Sequence, residues 1–281
     1  RRARAVARRW STRGAARGDE PPGSGPGGLR EVAAIRPHVL GKCRDMLTAV
    51  EQHPAMLLYL DQAQSSGPDS QAGQLANRFG RQRRGLNENL AREIMELHTL
   101  GVDGGYKQAD VVEFARAITG WGTLMPRDRQ GGGGDASGAN SKTGFVFRDA
   151  AHEPGERVVL GKRYTQVGQA QGQAILRDLA LHPATAQHLS LKLARHFVAD
   201  DPPPALVARM AHAYLGSRGD LTHLYTTLID SPEAWSSSAR KFKTPDDFVV
   251  SAMRAGALAL DRDPRVLPAP AGPPPAQRPC T

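Results

Sequence analysis

Aromatic side chains make up only 5% of the 281 residues, and just two cysteines, Cys43 and Cys280, are present. Cys43 sits at a core-like position on an apolar helical face and Cys280 in a Pro-rich tail. Neither a disulfide framework nor a thiolate metal site can be built from that pair. No run of about 18 apolar residues exists, so no transmembrane segment is expected. The basic start, residues 1–10, is not followed by the apolar stretch of about 7 to 15 residues that an export signal needs. Covalent catalysis lacks a nucleophile-elbow pattern to rest on. A phosphate loop is not supported at residues 131–134, where no strand precedes the glycines and no Gly-Lys-Ser or Gly-Lys-Thr follows them. Around Asp103 the alternating oxygen ligands of a calcium loop are missing.

What is there begins with 40% hydrophobic residues, enough for one core of moderate size. The 30 Gly and 21 Pro gather before Gly28, around residues 131–138 and after Pro264. Those stretches read as a basic tail over 1–28, a flexible insertion over 127–143 and a Pro-rich tail over 261–281. Of the net charge of +9, residues 1–30 hold eight Arg against Asp19 and Glu20, which leaves +3 for the rest. A body so near neutrality, and poor in stacking aromatics, gives no specific nucleic-acid footprint.

Helical spacing runs from Ile35 to Gln52 through Val39, Leu40, Cys43, Met46, Leu47 and Val50. Pro54 ends that helix and opens a second. The same His-Pro-Ala device recurs at His182, where the proline again starts a helix and the histidine is given no role. Residues 65–70 read as a loop. Phe145 and Phe147 alternate with smaller neighbours and Val158 to Leu160 form a β-branched run, which predicts one small hairpin over 144–161. Further helices are expected near 170–181, 184–198, 205–215 and 221–229. Ser231-Pro232-Glu233 and Thr244-Pro245-Asp246-Asp247 each spell a capped helix start. The fold class is therefore mainly α, a multi-helix bundle with one small β-hairpin.

Residues 85–121 carry the most information. At about 100° per residue, Leu86, Leu90, Leu97 and Leu100 share one face, and Glu93 falls in the middle of it. A carboxylate there is expected to be buried, and a buried carboxylate demands a cation, a metal or several hydrogen bonds. Two readings stay open: a polar clasp between helices, or an acid, base or metal ligand helped by Glu96, His98 and the hairpin's His152 or Glu153. The wheel places His98 about 140° from Glu93. Arg92 is expected to pair at the surface with Glu88 and Glu96, each four residues away.

The run Asn87, Glu88, Asn89, Ala91, Arg92, Glu93, Glu96, Leu97, His98, Thr99, Leu100, Gly101, Val102, with Thr119, Gly120 and Trp121 further on, resembles the bacterial family called domain of unknown function 1800, DUF1800. The likeness extends over about residues 29–260 and includes HPAMLLYLD at 53–61, the 182–197 helix and Ser231-Pro232-Glu233 with residues 241–245. It implies a mostly helical domain, export to the periplasm or beyond, and genetic pairing with a sulfatase-like exported protein. It supplies no established activity. Glu153 stands where the family has Asp, and Lys107 where it has Ser or Thr. The family's amino-terminal helical region is not recognisable in 1–28, so both ends read as truncated or out of frame.

Two functions follow as expectations. The first is a helical interaction or scaffold protein acting with another exported protein. The alternative is a metal-dependent hydrolase or related enzyme, with Glu93, Glu96, His98 and His152 as catalytic candidates. Its divalent metal would be held from among Glu93, Glu96, His152 and Glu153.

Overall fold

The computed structural model describes residues 30–79, 85–124, 143–236 and 244–256. The expected tails over 1–28 and 261–281, nearly all of the 127–143 insertion, and Cys280 lie outside these residues. Two compact units divide the chain, 1–241 and 242–281.

The first unit is mainly helical. A π-helical turn, Glu31–Ile35, precedes α1 (Cys43–Glu51) and α2 (Pro54–Tyr59). Then come α3 (Gln71–Arg78), α4 (Asn89–Glu93, running on into a π-helical turn at Ile94–His98) and α5 (Gln108–Ala117). Four short strands follow: β1 (Trp121–Thr123), β2 (Phe145–Phe147), β3 (Arg157–Val159) and β4 (Lys162–Tyr164). The unit continues with α6 (Gln169–Ala180), α7 (Pro183–Phe197), α8 (Pro204–Gly216) and α9 (Leu221–Asp230).

The expected helix from Ile35 to Gln52 is interrupted. Pro37 has no amide to donate, and Lys42 is extended (ψ 136°), so α1 begins only at Cys43. The His-Pro-Ala device, by contrast, works as a cap. His53 Nδ1 accepts from Ala55 N at 3.2 Å and His182 Nδ1 from Ala184 N at 3.1 Å, which satisfies an amide that the helix itself cannot. α3 has no counterpart among the sequence expectations. Its signal was Ser70, whose hydroxyl accepts from Gly73 N at 3.1 Å.

Strand pairing also differs from the single expected hairpin. β1 pairs antiparallel with β2, Trp121 opposite Phe147, across the Gly-rich insertion. The hairpin proper is β3 with β4, turning at Leu160 and Gly161, both at positive φ as a type I′ turn requires. Trp121 begins the first of these strands, β1. α5 stops at Ala117, and Gly120 at φ +80° turns the chain.

Among the described residues, the buried apolar side chains form two clusters instead of the single core expected. The first gathers Leu57, Leu90, Ile94, Met95, Phe114, Trp121 and Ile175 around α4, α5 and α6. The second joins Cys43 to Leu193, Tyr214, Leu224 and Tyr225 on α7 to α9. Each fully buried Leu or Ile contributes about 1.5–3 kcal/mol. Ser231 does not cap a following α-helix. Its hydroxyl donates to Thr227 O at 2.6 Å, and a single 3₁₀ turn, Pro232–Trp235, follows.

Lys107 occupies the cap position of α5 and cannot accept a hydrogen bond. Only the return half of a capping box forms, Lys107 N donating to Asp110 Oδ2 at 2.8 Å. Lys107→Ser is therefore expected to raise stability by about 0.5–1 kcal/mol, read as an increase in urea midpoint at unchanged slope.

The second unit contains α10 (Pro245–Ala255), begun by Thr244 accepting from Asp247 N at 3.3 Å as its sequence predicts. None of its residues is buried.

Candidate functional site

The end of α4 departs from the geometry on which the helical wheel depends. After Glu93 the backbone widens into π form, and Thr99 Oγ1 donates to Ile94 O, five residues back, at 2.7 Å. Gly101 N donates to Met95 O at 3.1 Å and, at φ +87°, ends the helix. The buried face is Leu90, Ala91, Ile94 and Met95, while Leu97 is exposed. Glu93 is accordingly only half-buried, which corrects the expectation from the wheel. A π turn advances fewer degrees per residue than the wheel assumes, so the 140° offset between His98 and Glu93 does not hold, and the Glu93 charge acts on the His98 ring.

The fully buried carboxylate of this region is Glu51, at the last residue of α1. Its Oε1 lies 2.8 Å from Nδ1 of His98, whose side chain is 27% exposed. The ring N–H is not aligned for an in-line hydrogen bond, so charge at short distance carries the contact. Burial works against a charged His98, but the Glu51 carboxylate, helped by Glu93, outweighs it. The imidazole is held above its ordinary value of 6.5. Arg30 also feels the Glu51 charge. From α7, Lys192 Nζ donates to Leu97 O at 3.2 Å, and the His188 ring lies against Gly101. Burial and then Lys192 push His188 below the ordinary histidine value.

Glu96 faces another way. Arg92 reaches Glu88 Oε2 at 3.1 Å and Glu96 Oε1 at 3.6 Å, the surface pairing expected from the spacing. Tyr106 is pushed up first by burial and then by its hydrogen bond to Glu96.

His152 and Glu153 are both buried, beside the end of α5. His152 Nδ1 is 3.0 Å from Thr119 O. Because a carbonyl only accepts, that nitrogen carries the proton. Burial holds the ring below its ordinary value, and it meets Phe147 edge-on at 5.3 Å between centroids. Glu153 takes part in two linkages: its N donates to Thr119 Oγ1 at 2.8 Å, and its Oε2 accepts from Asp69 N at 2.9 Å. The carboxylate thus fastens the 65–70 loop, and Gly67 packs directly on it.

Of the sequence candidates, His98 meets Glu51, which was not among them, Glu93 acts on His98 through its charge, and His152 with Glu153 lies by Thr119 and Asp69. Among the described residues, no three His, Cys, Asp or Glu converge as a metal-ligand group. Glu51 was missed because the group that meets it, His98, lies 47 positions further along the chain. The only local hint was a carboxylate one position removed from the α1 stripe. No helix among the described residues is long and apolar enough to cross a membrane.

The family model described as "Protein of unknown function (DUF1800)" matches residues 27–276. No curated protein and no solved structure matches the chain.

Proposed function

We propose, from the premise that this chain belongs to the DUF1800 family, that it is a helical interaction or scaffold module acting with another exported protein. The genetic pairing that the family resemblance implies supports a sulfatase-like partner. The observation that supports this reading is the use made of the buried carboxylates. Glu51 ties α1 to the end of α4 through His98, and Glu153 ties the 65–70 loop to the end of α5. Groups that could carry chemistry serve instead to hold surfaces in place.

A second reading, a metal-dependent hydrolase or related enzyme, draws on the same pair. An imidazole backed by a buried carboxylate is a general-base arrangement, with Glu93 alongside and Glu96, His152 and Glu153 as further candidates. Co-expression with a sulfatase-like exported protein separates the two. The scaffold reading expects a complex that survives gel filtration. Failure to form one, together with a stoichiometric divalent metal lost on Glu93→Ala, would overturn it in favour of the enzyme.

A further inference from the structure

Helix α3 leaves its large apolar side chains uncovered. At about 100° per residue, Ala72, Leu75, Ala76 and Phe79 fall within one arc of about 100°. Gly73, about 60° beyond the Ala76 end of that arc, is buried against the carbonyls of Gly67 and Pro68, where a side chain would collide. The helix is therefore seated by its glycine edge, and the outer part of the stripe faces away from the body: Leu75 is 54% and Phe79 68% exposed. Gln71, Gln74, Asn77 and Arg78 fill the opposite arc. The sequence bears one sign of charge here. From Ser70 to Asn87 there is no acidic residue, and Arg78 is followed by Arg81, Arg83 and Arg84.

An apolar stripe flanked by polar and cationic groups fits the boundary between lipid headgroups and acyl chains, where the stripe inserts and arginine meets lipid phosphate. We propose that α3 docks the protein on an anionic lipid surface, with Leu75 and Phe79 inserted and Arg78 at headgroup level. The docking is peripheral and reversible, since two large side chains and a short helix give a weak anchor.

The test uses the full chain and co-sedimentation with vesicles of phosphatidylcholine alone or mixed in equal parts with phosphatidylglycerol. Binding is expected to the mixed vesicles, to weaken with salt, and to fall at least about tenfold in Leu75→Gln/Phe79→Gln. Both positions are exposed, so circular dichroism of that variant should match the parent. The Arg-rich residues 1–30 could attract anionic vesicles by charge alone. Binding that survives the double substitution would assign the attraction to them and overturn the proposal. Absence of binding to mixed vesicles would overturn it as well, as would equal binding to neutral ones. Capture by immobilised polyglutamate without vesicle binding would do the same and assign the face to an acidic protein.

Discussion

His98→Ala is expected to cost about 3 kcal/mol of folding stability, the largest loss at any position of the candidate site. The substitution deletes the cation 2.8 Å from a carboxylate that has no exposure to water. An ionised group left in that position forfeits its Coulomb partner and regains no hydration. The value sits at the lower end of the range for broken buried pairs because Arg30 also lies within the field of Glu51. Glu51→Gln added to His98→Ala should recover about 1–2 kcal/mol, because an amide there carries no stranded charge. Equal losses in the single and double variants would show that the pair does not act as a pair.

The same contact sets a pH dependence. The folded-state pKa of His98 is raised above its ordinary value of 6.5, so the folded protein binds the proton more tightly than the unfolded chain does. The stabilisation is therefore fully present below about pH 6.5 and is lost as pH rises through the folded value. Urea unfolding of the parent should show stability falling from neutral into alkaline pH. In Glu51→Gln that fall should largely disappear, since the main group that raises His98 is gone. A slope unchanged in Glu51→Gln would place the titration elsewhere.

The sequence made the elements legible where one local rule acted alone. The 3.6-residue period placed α6 to α9 within a residue or two, and the Thr244 cap marked the start of α10. Legibility failed where a rule was interrupted. The wheel assumed one geometry from Gly85 onward, and the π-helical turn at Ile94–His98 rotates everything after it. Leu97 consequently moved outward and His98 came round to face Glu51, while Glu93, before the turn, lies beside the buried face of Leu90, Ala91 and Ile94 and not within it. The strand Phe145–Phe147 was recognisable by its alternation, but its partner lay beyond a Gly-rich insertion whose length carries no pairing information. In the candidate site, His98 and Glu93 could be nominated from residue type and spacing. Glu51 could not, because a carboxylate at the end of an amphipathic helix is ordinarily solvated.

Gly67→Ala tests the second buried carboxylate through its neighbour, with an expected cost of about 3 kcal/mol. Gly67 does not need a positive φ; what it needs is space. A methyl group there would stand 2.6 Å from Glu153 Cβ and 2.7 Å from Glu153 Cα, besides colliding with the carboxylate. Those carbons cannot rotate aside, so the loop must lift. Lifting breaks Gly67 N to Ala151 O, 2.9 Å, and Asp69 N to Glu153 Oε2, 2.9 Å, and leaves the carboxylate buried without its donor. It also disturbs Ser70, which caps α3, and the Gly67 and Pro68 carbonyls on which Gly73 rests. Overpacking and a stranded acceptor together give the stated loss. Trimming Glu153 to alanine in the same chain should rescue little, because Cα and Cβ stay where they are. Glu153→Gln alone should cost only about 1 kcal/mol, since an amide oxygen can still accept from Asp69 N. A urea midpoint for Gly67→Ala within about 0.5 kcal/mol of the parent would mean that the loop is not fastened to Glu153. α3 would then have to be held by something other than its glycine edge.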